Sequence, residues 1–150
     1  PLNTGQAHHY GAQAALNSLE RWVRSGRPPA STQPLTLATG GSDGVVPSLA
    51  LDANGLARGG VRTPWVDVPT TALSGKGDPS DFLSMLAGTA VPFDAAKLAM
   101  LYPGGKADYL RKFTRALDEA IAKGHILSDD RAEILAIAAI NFDAVSSAPK

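Results

Sequence analysis

Three residue patterns in this chain are of types that do chemistry. The first is Gly40-Gly41-Ser42-Asp43-Gly44. In acyl transfer by an activated serine, a G-x-S-x-G string allows the sharp strand-to-helix turn that lifts the Ser hydroxyl to a helix N-terminus. That geometry demands a helix directly afterwards, yet Val45-Val46-Pro47-Ser48 reads as β with a proline where the helix would run. Ser42 is therefore read as part of a glycine-rich turn between two short strands. The second pattern is His8-His9-Tyr10. Neighbouring positions at a helix start point roughly 100° apart, so the pair suits joint metal ligation poorly. One imidazole facing a cleft would have a suitable unperturbed pKa for a general base. His9 is carried forward as the candidate catalytic residue, against the blander role of packing where the helix begins. The third pattern is the carboxylates, which are scattered without a paired constellation. Asp94, Asp129 and Asp130 have capping or helix-dipole explanations, and Asp52 belongs to a turn. Asp67, between Trp65 and Pro69, reads as the outward face of a strand. His125 reads as a linker residue after a helix stop. The glycines near Gly40 and Gly59 do not lead from a strand into a helix, so no phosphate cradle is expected. No cofactor and no metal site are expected.

The elements that must position these residues come in three groups. Ala12, Ala15, Leu16, Leu19, Trp22 and Val23 recur with helical spacing and predict an amphipathic helix from about His8 to Ser25. Gly26 and Pro28-Pro29 end it. Residues 30–74 carry β and turn residues: strands at 35–39 and 45–51, a hairpin turn at Asn54-Gly55, a weak returning arm at 56–62, and an alternating stretch at 65–68. These arms have too few apolar side chains to cover both faces of a sheet alone. Residues 75–92 read as a loop or as a short helix starting near Pro79. Beyond them the chain is helical: Asp94 caps 95–102, a second helix spans 106–123 with Leu110, Phe113, Leu117 and Ile121 on one stripe, and Ser128 caps a third that runs to about Phe142. The last helix is apolar nearly all round, which predicts burial on more than one side.

Composition limits the function classes. The 150 residues are 44% hydrophobic and 19% charged, enough to bury a core. Fourteen basic residues balance fourteen acidic ones, without the basic excess of a nucleic-acid binder. With no cysteine, disulfides, thiolate metal sites and a Cys nucleophile are excluded. No apolar run approaches the roughly 18 residues of a membrane span. The chain begins at Pro1 without an initiator Met, and it is read as a piece of something longer.

Ala15, Leu16, Leu19, Arg21, Trp22, Val23, Gly26, Pro28 and Pro29 together resemble the last helix of many α/β-hydrolase esterases. In those proteins this helix follows the catalytic histidine and packs on the central sheet. The continuation is similar to the bacterial α/β hydrolase domain family, the predicted serine hydrolases. The hairpin segment from Asp52 through Gly59-Gly60, Arg62, Pro64 and Val66-Asp67-Val68-Pro69 carries the likeness. So do Pro92-Phe93, Leu98 and Leu101-Tyr102-Pro103, and then Tyr109, Gly124, Asp130 and Ile134. The resemblance implies an α/β fold, here the C-terminal part of an α/β-hydrolase: its last sheet-packing helix at 1–29, an irregular β-hairpin segment at 30–75 and a helical region at 76–150.

It also implies that the nucleophile and the catalytic histidine lie upstream. His9 then stands where the family often places a histidine beside an aromatic residue, and Ser42 matches nothing catalytic. The chain would be a C-terminal fragment or subunit of a serine-dependent carboxylic-ester hydrolase, inactive alone, supplying scaffold and pocket wall. Its partners would be the N-terminal part of the same hydrolase and an ester-type small molecule, with no nucleic acid and no membrane span; a homo-oligomer is left open. Family members are often exported, which leans the expected location to the periplasm or outside the cell. The alternatives are a non-enzymatic small α/β binding or assembly module, and a split product that stays with its N-terminal partner.

Overall fold

The structure is a computed structural model that describes residues 8–38 and 48–147. Helix α1, His8–Ser25, has the expected bounds. Its burial does not follow the expected stripe. Tyr10 and Ala14 face the body of the protein, while Leu16, Leu19, Trp22 and Val23 are 46–79% exposed. The apolar arc of α1 is wider than the surface the other described residues offer to cover it.

The hairpin region holds together by sparse pairing. Leu37 bridges Leu49, and Leu51 bridges Ala57. Thr36, Ala50 and Arg58 form a closed backbone ring: Thr36 N–H donates to Arg58, Arg58 to Ala50 and Ala50 to Thr36, at 2.8–2.9 Å. The expected turn is present, with Asp52 Oδ1 accepting from the backbone of Asn54 and Leu56 and Gly55 at φ +79°. Gly59 is required by close approach as well as by its φ of +76°, because a Cβ there would lie 2.2 Å from the Pro34 carbonyl oxygen. The outer parts of the two expected strands, 39 and 45–47, and the Gly40–Gly44 string lie outside the described residues.

Two expectations are corrected. Residues 65–68 are not a strand: Pro64–Asp67 is a one-turn helix, α2. Proline at its first position presets the helical φ, and the turn aims Trp65 at the core, which outweighs the alternating pattern. Ser128 does not cap the last helix with its side chain. Ser128–Asp130 is a 3-10 turn leading into α6, Arg131–Ser146. Helix α6 also runs past the expected end at Phe142.

Strands β1, Thr71–Ser74, and β2, Thr89–Pro92, form a two-stranded antiparallel sheet with Thr71 opposite Pro92. Between them lies α3, Phe82–Ala87, capped by Asp81. Helix α3 is turned inside out. Ser84 is buried and its Oγ accepts from Asp78 N–H at 2.8 Å, while Phe82, Leu83, Met85 and Leu86 are 53–72% exposed. Asp94 caps α4, Ala95–Leu101, through Lys97 N–H at 2.7 Å, as expected. Helix α5, Gly105–Ala122, is the spine. It packs on α2 and α6 and buries Tyr109, Phe113, Leu117 and Ala120 completely or nearly so. Helix α6 answers with Ile134, Ala138 and Phe142, leaving Ile140 exposed. Among the described residues no helix is long and apolar enough to cross a membrane.

The Tyr102 hydroxyl donates to the Pro69 carbonyl at 2.7 Å across 33 residues, inside the core. Tyr102→Phe removes the donor and strands that carbonyl, so a loss of about 1–3 kcal/mol is expected in denaturant unfolding. A second expectation concerns acid. Asp118 is held below the usual carboxylate range by its hydrogen bonds to the Arg131 guanidinium, and Asp108 by the Lys112 ammonium with Arg111 beside it. Folded values below the unfolded ones stabilise fully above the ordinary carboxylate range and lose that contribution as pH falls through the folded values. The melting temperature should therefore hold steady down to about pH 5 and decline below about pH 4. Arg131→Gln should make that acid decline shallower.

Candidate functional site

The first turn of α1 places His9 and Tyr10 beside Trp65. His9 is exposed, with its ring centroid 3.7 Å from that of Tyr10 and the planes tilted by 40°. Tyr10 is 2% exposed and stacks on Trp65 at 5.7 Å and 10°. Tyr10 Oη, Trp65 Nε1, Thr63 Oγ1 and Asp130 Oδ2 are buried without a hydrogen-bond partner among the described residues. Burial raises the Tyr10 pKa, as do the carboxylates of Glu133 and Asp130. Glu133 approaches the hydroxyl without meeting hydrogen-bond geometry. Tyr10 thus stays a neutral phenol.

The hairpin and the helices are pinned by Arg62. Its Nε donates to Asp67 Oδ1 at 2.7 Å, one of its terminal nitrogens to the Ala57 carbonyl at 2.8 Å, and its own carbonyl lies 3.4 Å from His125 Nδ1. Asp67 is thereby an ion-pair partner rather than the outer face of a strand. His125 is more than a linker residue, because it ties the end of α5 to the hairpin. Reasoning from sequence missed Arg62 as the hub. The signal available was its fixed spacing from Asp67, which the one-turn helix α2 closes into a salt bridge.

The structure brings His9, Tyr10 and Trp65 together and does not assemble an acyl-transfer triad around them. No described carboxylate or hydroxyl hydrogen-bonds to His9, and Ser42 lies outside the described residues. No group of three or more metal-ligating side chains occurs among the described residues. The residues that carried the resemblance have structural work instead: Asp52 and Gly55 make the turn, Gly59 permits close approach, Arg62 pairs Asp67, Pro64 starts α2, and Tyr102 clips Pro69.

Residues 1–136 match the model of the family described as Alpha/beta hydrolase domain. The chain belongs to that family. No curated protein and no solved structure matches it. For this α/β-hydrolase-family chain, the family match and the helices with their small antiparallel sheet are consistent with the α/β class expected from sequence.

The two buried tyrosines at the ends of this core should respond differently to loss of the hydroxyl. Tyr10→Phe removes an unpartnered buried group while keeping the ring on Trp65, so unfolding free energy should rise or change by less than about 1 kcal/mol. A loss comparable to that of Tyr102→Phe would mean that Tyr10 Oη has a partner in solution.

Proposed function

We propose that this chain is the C-terminal, scaffold-bearing part of a serine-dependent carboxylic-ester hydrolase whose nucleophile elbow lies outside its 150 residues. The observation that supports this is the apolar surface left uncovered. Leu16, Leu19 and Val23 on α1, Leu35, Leu37, Leu49 and Leu51 on the hairpin arms, and Phe82, Leu83, Met85 and Leu86 on α3 are all 41–79% exposed. Scattered exposed leucines are ordinary, but a helix that buries its serine and presents its apolar residues outward marks a face meant for contact. In this reading residues 1–29 are the last helix of the hydrolase core, 30–75 the hairpin segment and 76–150 the helical region. The N-terminal part of the same hydrolase covers the apolar faces. The chemistry is acyl transfer from an ester-type small molecule through a Ser-His-acid triad.

A second reading has its own support. Phe113, Leu117, Ile134 and Ala138 are fully buried within this chain, so a non-enzymatic binding or assembly module would also have a core to stand on.

Hydrolysis of a p-nitrophenyl ester separates the two. The chain alone should be inactive, and a polypeptide extended upstream of Pro1 should turn the ester over. Leu16→Asp with Val23→Asp should weaken the extended enzyme by disrupting the covered face. Turnover by the 150 residues alone that Ser42→Ala abolishes would overturn the scaffold reading, and an inactive extended polypeptide would favour the module. His9 is the candidate base that the chain offers, and His9→Gln in the extended enzyme measures its part. A loss of about 10²–10⁴ in kcat marks a general base. A change under roughly tenfold leaves it a packing residue at the start of α1, the result expected because no described carboxylate orients it.

A further inference from the structure

A groove of about 360 Å³ runs between α1, the extended segment after it and the turn that ends α5. That volume falls at the small end of the range for ligand sites, roughly 300–1,000 Å³. Ala14, Ala15, Leu19 and Trp22 line it from α1, with Pro29 and Val61 from the segments beyond. Its charged members are Arg21 and Lys123, with His125 beside them, and among the described residues no carboxylate lines it. Among the described residues neither cation has an ion-pair partner, whereas Arg24, three residues on from Arg21, is paired with Glu20. Cations near helix C-termini often serve the last carbonyls. Here backbone groups already take those of α5: Lys123 N–H donates to Glu119, Gly124 to Ile121 and His125 to Ala120.

Apolar walls and two cations, with no carboxylate among the described lining residues, suit an amphipathic anion. We propose that this groove binds a small carboxylate with an alkyl or aryl body. The body lies against Trp22, Ala15 and Leu19, and the carboxylate is held by Arg21 and Lys123. The planar guanidinium offers a carboxylate two parallel N–H donors, and the ammonium adds a second charge. The site stands without the hydrolase reading. Of the α1 face that reading uses, Leu16 and Val23 project roughly 100° around the helix from Ala15 and Trp22, and Leu19 alone borders both faces.

Trp22 is 46% exposed and reports on the groove directly. Titrating the 150-residue chain with octanoate should change Trp22 emission saturably, and the change should vanish in Trp22→Phe, which keeps Trp65. Octanol, with the same body and no charge, should bind at least about tenfold more weakly. Arg21→Gln with Lys123→Gln should weaken octanoate by roughly tenfold or more, with an unchanged melting curve because both side chains are exposed. The absence of a saturable change, octanol binding as well as octanoate, or full affinity in the double variant would each overturn the site. None of these readouts depends on ester turnover, so failure here and failure of the hydrolase reading are told apart.

Discussion

Phe113 and Tyr109, one turn apart on α5, each meet an aromatic ring brought from another element. Trp65 of α2 stands edge-on to Phe113 at 5.7 Å, and Phe142 of α6 stacks on Tyr109 at 4.8 Å. Tyr10 extends the row from α1 by stacking on Trp65, and Tyr102 closes its other end against both Tyr109 and Phe142. Aromatic pairs at such offsets contribute about 0.5–1.5 kcal/mol each beyond their burial. More important is that one ladder ties α1, α2, the end of α4, α5 and α6 into a single body. Were α5 to lose that face, the other helices would have nothing common to pack on.

This constraint also explains the distribution of functional potential. Residues that look like a family signature are used to fix the fold: Arg62 joins Asp67 and Ala57, Tyr102 joins Pro69, and the Gly59 backbone lies against Pro34. Held in this way, the chain directs apolar faces of α1, the hairpin and α3 outward. The buried polar atoms near Tyr10 keep neutral or uncompensated groups under the start of α1, where they specify how that helix sits more than they stabilise it.

Helices were legible where local signals agreed. The limits of α1 followed from its periodicity and from Gly26 with the prolines beyond, and the start of α4 from the Asp94 cap. The arms read at 35–39, 45–51 and 56–62 do pair, through the Leu37–Leu49 and Leu51–Ala57 bridges, whereas the strands at Thr71–Ser74 and Thr89–Pro92 were not legible, being four residues each and joined across a helix. The segment at 65–68 had a strand's pattern and became a helix because Pro64 fixed the first turn and Trp65 had an aromatic partner waiting on α5.

By itself the sequence determined the type and limits of most helices, the Asn54-Gly55 turn, the absence of thiol chemistry and the family likeness. These depend on neighbours in the chain, on caps, periodicity and backbone freedom. Which face of α1 is buried, that α3 is inside out, that Arg62 and His125 meet, and that Arg21 and Lys123 share an apolar groove were decided only by the tertiary structure. The burial of Ser84 turns on a bond from Asp78 six residues away, and the others join residues far apart in sequence, so none of them follows from helical periodicity alone.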